Sequence, residues 1–355
     1  MIKDQKIMRR FVSGIVGLAA LLAGCATTNQ DNSSRLNLIK NRNELICGVS
    51  GKIPGFSFLK SDGSYQGLDV DICKAFAAAI IGDSEKIQYR PLTAAERFTA
   101  IKTGEIDLLS RNTTFTLSRD SSGGNGLTFA PVVFHDGQGL MVKKESGIKN
   151  LKDLANKSIC VGSGTTTEQN INDAFESSSL PYTPIKYQDL NQVVAGYLQG
   201  RCSAMTSDRS QLAAARSGFK NPKEHIILDD VLSKEPLAPA SDGQDQKLAD
   251  AMRWVVFSLI SAEEQGITKS NIDEKVQIAK NNPQLKPLRR FLGIDGGLGE
   301  KIGLSNDFVI KVIRSTGNYG EIYERHLGKN SEVPIPRGQN ELYKKGGVHI
   351  SPPFN

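Results

Sequence analysis

Apolar runs of strand length alternate with amphipathic segments along most of the chain. In the first half, Leu45 to Val49 and Ile106 to Leu109 are short, mostly apolar runs of the kind that form buried strands. Between them, apolar residues recur at helical spacing from Val70 to Ile81, with Asp69 as the candidate N-cap and Gly82 at the end. Alternating strands and helices predict an α/β fold with mostly parallel sheets.

The same order of elements recurs in the second half. Ser158 to Val161 has the pattern of a strand, and the capping-box pattern of residues 165–168 opens a helix. A helix over residues 189–199 and a strand over residues 202–205 follow. The repeat predicts two related lobes, each with its own sheet.

Two polar residues lie at equivalent points of this repeat. Gly104 precedes a strand and Asn112 lies eight residues later, while Gly200 precedes a strand and Asp208 lies eight residues later. We therefore expect Asn112 and Asp208 at equivalent strand ends. Ligands bind beyond the carboxyl ends of parallel strands, so two such edges facing each other predict a ligand cleft between the lobes.

Hydroxyl, amide and guanidinium groups follow the strand that ends at Leu109. One interpretation is a polar surface loop with a solvated arginine. The other is a ligand clamp, in which Arg119 holds a carboxylate and Asp208 holds an ammonium group. The helix opened by Thr165 would offer its free N–H groups to the same carboxylate. Together these groups suit an α-amino acid.

The N-terminus has the pattern of a targeting signal. A basic start precedes an apolar run from Phe11 to Leu22, which is too short to span a bilayer. The sequence Leu22-Ala23-Gly24-Cys25 resembles a bacterial lipoprotein signal, which predicts a signal peptide over residues 1–24 and acylation of Cys25. The alternative is an ordinary secretory peptide with an incidental cysteine. Residues 25–35 are polar and suit a flexible tether.

The composition and motifs argue against a nucleic-acid partner and against a metal or cofactor. The formal net charge is +6, but the first ten residues contribute +3 of it, from four basic residues and one acidic residue. The remaining +3 is spread over a chain of 355 residues without a basic stripe, which argues against a nucleic-acid partner. The sequence has no metal-ligand spacing and no cofactor motif, so we predict neither a metal nor a cofactor.

Four cysteines remain after Cys25, an even number in a chain bound for an oxidising compartment: Cys47, Cys73, Cys160 and Cys202. Four cysteines allow three pairings, and the sequence alone does not choose among them. The two-lobe architecture favours Cys47 with Cys73 and Cys160 with Cys202, because each bond then lies inside one lobe.

The chain resembles the periplasmic amino-acid-binding proteins of ABC uptake systems (solute-binding protein family 3), and most closely their general L-amino-acid-binding branch. The resemblance covers the chain from about Leu36 to its end. The stretches that carry it are Cys47-Gly48-Val49-Ser50, Gly67-Leu68-Asp69-Val70-Asp71-Ile72-Cys73, Leu109-Ser110-Arg111-Asn112-Thr113-Thr114, Gly164-Thr165-Thr166-Thr167-Glu168, Gly200-Arg201-Cys202 and Gly317-Asn318-Tyr319-Gly320-Glu321.

The resemblance implies roles for several residues. Arg119 would grip the α-carboxylate, with help from Thr165 and Thr166, and Asp208 would bind the α-amino group. Asn112 and Thr114 would add hydrogen bonds. Where relatives that prefer basic amino acids carry an acid and an aromatic residue in the first strand-end loop, this chain has Ser50 and Ile53. This departure implies a pocket that tolerates different side chains, and Ser50 would be one of its ligand-binding residues.

The resemblance also implies the architecture and the partners. The fold is a type II periplasmic binding protein with two mixed or parallel sheets flanked by helices. Lobe 1 comprises residues 36–135 and 238–355, including a C-terminal helical extension, and lobe 2 comprises residues 136–237. Two hinge crossovers lie near residues 135–139 and 236–239. The expected partners of this monomer are an L-amino acid, ABC permease subunits and a membrane reached through the lipid anchor.

Two other classes of function compete with this interpretation. An enzyme on the same fold, such as a dehydratase or a peptidoglycan lyase, needs an acid/base pair in the cleft, yet the four histidines lie in unrelated contexts. A sensor needs a spanning helix or a signalling domain, and no second apolar run approaches the roughly 18 residues of a spanning helix. We therefore predict a transport-related binding protein and no enzyme.

Acylation of Cys25 can be tested by detergent partitioning. We expect the wild-type protein to enter the detergent phase and Cys25→Ala to remain in the aqueous phase. One acyl chain binds a membrane only marginally, so retention requires the several chains that bacterial lipoproteins carry. A wild-type protein that stays in the aqueous phase with Cys25 intact would contradict the prediction.

Overall fold

Two buried sheets organise the chain, which the computed structural model describes over residues 34–355. The predicted signal peptide, Cys25 and all but the last two residues of the predicted tether lie outside the described residues. Within residues 34–355, no helix combines the length and the apolar content needed to cross a membrane.

The secondary structure of the described chain follows the predicted alternation. The strands are β1 (Leu45–Val49), β2 (Lys52–Ile53), β3 (Ser57–Leu59), β4 (Tyr65–Gln66), β5 (Ile87–Pro91), β6 (Leu108–Leu109), β7 (Leu127–Phe129), β8 (Phe134–Lys143), β9 (Ser158–Gly162), β10 (Thr183–Tyr187), β11 (Ala204–Asp208), β12 (His225–Ile227), β13 (Lys234–Leu237) and β14 (Ala240–Asp242). The α-helices are α1 (Arg35–Arg42), α2 (Leu68–Ile80), α3 (Arg97–Lys102), α4 (Leu117–Asp120), α5 (Thr166–Ser177), α6 (Leu190–Leu198), α7 (Arg209–Ser217), α8 (Gln246–Glu264), α9 (Ile272–Asn281), α10 (Lys286–Phe291), α11 (Leu298–Lys301), α12 (Phe308–Thr316) and α13 (Tyr319–Leu327).

The first sheet has the strand order β5-β1-β6-β14-β7. The apolar run of β1 lies at its centre, parallel to both β5 and β6. β14, which the chain reaches only after building the second sheet, runs antiparallel to β6 and β7. We call the part of the molecule built on this sheet the first lobe.

The second sheet has the order β10-β9-β11-β8-β12, and β13 also pairs with β8. β9 is parallel to β10 and β11, while β8 is antiparallel to its partners. Side chains alternate between the two faces of a strand. Accordingly, Leu140 and Val142 join one apolar cluster, whereas Met141 and Cys160 join the cluster on the other face. This sheet is the centre of the second lobe.

Two adjacent strands carry the chain between the lobes. β8 leads into the second sheet, and β13 returns antiparallel to its beginning, with Lys234 opposite Gly137 and Pro236 opposite His135. Two mixed sheets, flanking helices and paired crossovers confirm the predicted two-lobed fold class.

The C-terminal helices extend the first lobe. α12 packs on α2, and α8 contacts α2, α12 and α13. Their apolar residues share one core with β1. Beyond α13 the chain returns to the crossover, where the Asn340 side chain accepts a hydrogen bond from the His135 N–H (2.6 Å) and donates one to its carbonyl (3.1 Å). The extension therefore contacts the backbone of β8 at the crossover that links the lobes.

One predicted helix start is wrong. α2 begins at Leu68, and its N-cap is Gly67 rather than Asp69. Gly67 has a φ of 136°, and a Cβ built there would lie 2.0 Å from the Phe56 carbonyl oxygen, so the close approach of these two backbones requires glycine. Asp69 is thereby moved into the first turn of the helix.

Both expected disulfides are present. Cys47 of β1 bonds Cys73 of α2, and Cys160 of β9 bonds Cys202, which lies just before β11. Each bond joins a central strand to another segment of the same lobe, as the two-lobe architecture favours.

Removing one disulfide should lower stability without changing the fold. Cys160 and Cys202 are separated by 42 residues in sequence, and releasing a loop of that size costs roughly 4 kcal/mol in the chain-entropy account. We expect Cys160→Ala/Cys202→Ala to lose about that much free energy of unfolding in urea titrations. An unchanged midpoint with an unchanged denaturant slope would contradict this. The control is a variant that lacks both disulfides, because its free energy of unfolding should not change when dithiothreitol is added.

Candidate ligand-binding site

A cavity of about 280 Å³ lies between the lobes, at the carboxyl ends of the central strands of both sheets. Its size is near the lower end of the roughly 300–1,000 Å³ typical of small-molecule sites. Of the predicted site residues, six line it: Ser50, Asn112, Thr114, Thr165, Thr166 and Asp208. The facing strand ends therefore bring together most of the groups expected from the sequence.

On the first lobe, the loop after β6 presents Asn112 to the cavity. Asn112 adopts a φ of 38°, a left-handed conformation that asparagine tolerates better than most residues. Its side chain is buried, and neither its oxygen nor its nitrogen bonds another residue within 34–355. Because buried amide groups normally have partners, this side chain is available to a ligand.

Asp69 holds this loop in place. Its carboxylate accepts hydrogen bonds from the Asn112 N–H (3.2 Å) and the Ser110 hydroxyl (3.3 Å). Burial raises the pKa of Asp69 to about 6, although these hydrogen bonds and the charge of Arg111 oppose the rise. Sequence reasoning missed this supporting role, since an Asp near a helix start suits an N-cap equally well.

On the second lobe, the N-terminus of α5 faces the cavity. The Thr165 hydroxyl caps the helix by accepting from the Glu168 N–H (3.1 Å), and the Glu168 carboxylate accepts from the Gly164 N–H (2.8 Å). Thr165, Thr166 and Thr167 all line the cavity. The first-turn N–H groups and the positive end of the helix dipole favour an anion at this point.

Asp208 lies at the end of β11 and is buried. One of its oxygens accepts a hydrogen bond from Gln211 (2.7 Å). Burial raises the pKa of Asp208 well above its usual value, and the neighbouring charges of Asp136 and Glu235 raise it further. A ligand cation beside Asp208 would favour its charged carboxylate and so lower the pKa again.

Arg119 does not line the cavity in this structure. It is buried directly behind Thr114, whose carbonyl oxygen accepts a hydrogen bond from Arg119 Nη1 (2.8 Å). Burial lowers the pKa of Arg119, while the charges of Glu235 and Asp208 oppose that change. Its guanidinium is therefore within electrostatic reach of the acidic groups of the cleft.

Glu235 connects the two lobes, and sequence reasoning missed it. It lies on β13 and is 1% exposed. Its carboxylate accepts hydrogen bonds from Thr114 of the first lobe and from Thr166 (3.0 Å) and Asn170 (2.9 Å) of the second. Only its position beside the predicted crossover at residues 236–239 could have singled it out.

A second contact crosses the mouth of the cleft. Lys52 of β2 and Asp189, the N-cap of α6, form an ion pair of 2.9 Å. The Lys52 side chain is 45% exposed, so the pair adds little stability. Together with Glu235 it describes two lobes that contact each other across the site.

The fold and the site define a two-lobed solute-binding protein of type II, with its ligand site in the interlobe cleft. Residues 45–329 match the family described as bacterial extracellular solute-binding proteins, family 3, and the chain belongs to that family. This confirms the family resemblance in the sequence.

Relatives match along nearly the whole chain. The general L-amino acid-binding periplasmic protein AapJ of Rhizobium johnstonii is 43% identical over 346 residues, which are 97% of this chain and 98% of that protein. The glutamate/glutamine/aspartate/asparagine-binding protein BztA of Rhodobacter capsulatus is 42% identical over 341 residues, which are 96% and 98% of the two chains. Both are named as binding proteins, in agreement with the prediction that the chain is no enzyme.

A solved structure agrees in fold. It is a periplasmic binding protein of an ABC transporter from Brucella ovis with glutathione bound. It is 40% identical in sequence and superposes with a TM-score of 0.85, covering 91% of this chain and 100% of that one.

The raised pKa of Asp69 predicts that the stability of the protein depends on pH. A pKa raised by folding contributes stability at low pH that is lost as the pH rises through about 6. Relative to Asp69→Asn, the wild type should therefore lose about 2 kcal/mol of unfolding free energy between pH 4.5 and pH 7.5. Urea titrations at several pH values measure this. Asp250→Asn, a substitution on the surface of α8, is the control. If the unfolding free energies of the wild type and Asp69→Asn change in parallel with pH, the raised pKa of Asp69 is wrong.

Proposed function

We propose that this protein captures L-amino acids for an ABC-type uptake system. The observation that carries the proposal is the convergence, in one small cavity, of a buried acid at one strand end, an unpaired amide at the other and a helix N-terminus. In this arrangement Asp208 binds the α-ammonium group, and Asn112 and Thr114 add polar contacts. The first turn of α5 and Arg119 stabilise the α-carboxylate.

Broad side-chain tolerance follows from where these contacts are directed. All of them address the α-groups, which every amino acid shares. The segment after β1 contributes the neutral residues Ser50 and Ile53 to the cavity, and the charge of Lys52 between them is paired with Asp189. The names of AapJ, a general L-amino acid-binding periplasmic protein, and of BztA, a glutamate/glutamine/aspartate/asparagine-binding protein, support a range of ligands rather than one.

Ligand binding would act by stabilising lobe closure. The proposed contacts come from both lobes, so the ligand has higher affinity for the closed state than for an open one, and it shifts the population accordingly. The closed form then presents the surface that the permease subunits recognise. In this proposal the protein is a monomer in the periplasm or its equivalent, held at the membrane by a lipid on Cys25 after removal of the signal peptide.

The clamp predicts losses of affinity that do not depend on the side chain of the ligand. Arg119→Ala should weaken binding by roughly a hundredfold or more, because it removes the buried positive charge behind Thr114 that, in this proposal, stabilises the ligand carboxylate. Asp208→Asn should weaken binding nearly as much. Calorimetry with L-glutamate, L-glutamine and L-leucine measures the effect on three different side chains.

Surface substitutions provide the controls for this measurement. Arg90→Ala and Asp250→Asn change residues of the same types outside the cleft and should bind all three ligands like the wild type. The clamp assignment is wrong if either cleft variant binds all three normally or loses only one of them.

A further inference from the structure

A second cavity, of about 700 Å³, lies against the two crossover strands. It shares no lining residue with the ligand cavity between the lobes. Asp208 and Gln211 line the ligand cavity, whereas Arg209 and Arg216, which are two helical turns apart on one face of α7, line the second one. The volume of the second cavity is within the range of small-molecule sites.

The C-terminal extension forms part of the wall of this cavity. Residues 334–340 line it, together with the beginning of β8, most of β13 and one face of α7. The family match ends at residue 329, so this wall lies beyond the part of the chain that the match covers. The cavity is therefore bounded by the second lobe, by both crossovers and by a segment of the first lobe.

Three basic side chains of the cavity have no acidic partner. In the described chain, no carboxylate oxygen lies within 4 Å of a side-chain nitrogen of Arg209, Arg216 or Lys234. Arg209 Nη1 donates to two backbone carbonyls, at 2.6 and 3.4 Å. The fourth basic residue, Arg337, is paired with Glu263 at 2.6 Å. Three positive charges of the cavity thus lack an ion pair within the described residues.

The two acidic residues that line the cavity do not compensate these charges. Glu235 directs its carboxylate to threonines that line the cleft. Asp136 accepts hydrogen bonds from the N–H groups of Gly137 (2.8 Å) and Ser210 (3.2 Å). His135 also lines the cavity, but burial lowers its pKa, so it adds no charge at neutral pH. The surplus of positive charge suits an anion with more than one negative charge.

We propose that this cavity is a second binding site, which receives a small free anion with two or three negative charges, of the carboxylate or phosphate class. Guanidinium groups bind both classes through paired hydrogen bonds, and a lysine adds a compact positive charge. Arg209 and Arg216 provide the guanidinium groups and Lys234 provides the ammonium group. The site itself does not depend on the proposed function.

The position of the second site predicts that it is coupled to the cleft. Its walls belong to both lobes and to the crossovers, so a change in the angle between the lobes changes the shape of the cavity. In this structure the lobes are in contact through Glu235 and through the pair of Lys52 with Asp189. An anion that fits this form stabilises it and, by linkage, should raise the affinity of the cleft for its own ligand. This coupling rests on the proposed function.

Calorimetry with citrate and with pyrophosphate tests the site and distinguishes the two classes of anion. The purified protein is freed of bound ligand by partial unfolding with its disulfides oxidised, refolded, and titrated in a chloride buffer of constant ionic strength. The variants are Arg216→Gln, Lys234→Gln and their combination. The controls, Arg201→Gln and Lys220→Gln, remove the same charges from exposed positions of the second lobe outside both cavities. Thermal unfolding of each variant reports whether it has folded.

We expect the wild type to bind at least one of the two anions saturably, with one site per chain. Each single variant should weaken this binding by roughly three- to fivefold and the combined variant by roughly tenfold or more, because the two side chains are partly exposed. The controls should match the wild type. A saturating concentration of the anion should tighten L-glutamine binding by roughly fivefold in the wild type and leave it unchanged in the combined variant.

The contrary outcomes separate the site, the coupling and the proposed function. The site is refuted if neither anion binds saturably, if the combined variant binds like the wild type, or if the controls lose as much affinity. It is also refuted if Arg111→Gln, a change in the cleft, weakens anion binding, because the anion then lies between the lobes. Normal anion binding without an effect on L-glutamine affinity refutes only the coupling. A wild type that binds the anion but none of the L-amino acids refutes the proposed function and leaves the site standing.

Discussion

The structure depends on charged groups that the fold buries in the cleft and leaves incompletely paired. Arg97 and Asp208 are almost fully buried, and no ion pair within 4 Å involves either of them among residues 34–355, although each charge partly stabilises the other. Burying such groups costs free energy that the core of each lobe must offset. In the proposed function, a ligand of matching charge would offset part of this cost, and strand ends and short loops fix the positions of the groups before the ligand arrives.

Glu235 extends this principle to the hinge. It belongs to a crossover strand, and its carboxylate bonds threonines of both lobes that also line the cavity. The crossover strand is therefore hydrogen-bonded to groups that line the cavity. On the other side of the crossover, the C-terminal extension holds the backbone of His135 through Asn340. Each of the two crossover strands is thus hydrogen-bonded to side chains or backbone from distant parts of the chain.

The sequence predicted the framework better than the contacts within it. Apolar periodicity located the central strands, because it depends on local pattern. The count from Gly104 and Gly200 selected two residues that line the cavity, but Asn112 lies three residues beyond β6 whereas Asp208 is the last residue of β11. The position of Arg119 behind Thr114 and the roles of Asp69 and Glu235 depend on side chains that meet across long separations in sequence. Such long-range contacts leave no signal in the local sequence. An Asp near a helix start predicts an N-cap whether or not its carboxylate also bonds a distant loop.

Different elements of the cleft carry the proposed contacts to the α-groups and the other charged side chains of the cavity. The α-groups of the ligand would meet the ends of β6 and β11 and the N-terminus of α5, which belong to the rigid framework of the two sheets. Arg97 and Arg111 lie instead on α3 and on a loop, where a substitution changes the charge of the cavity without disturbing a strand. A substitution at these two positions would therefore change the charge of the cavity while the strand ends and the helix N-terminus of the proposed clamp are retained.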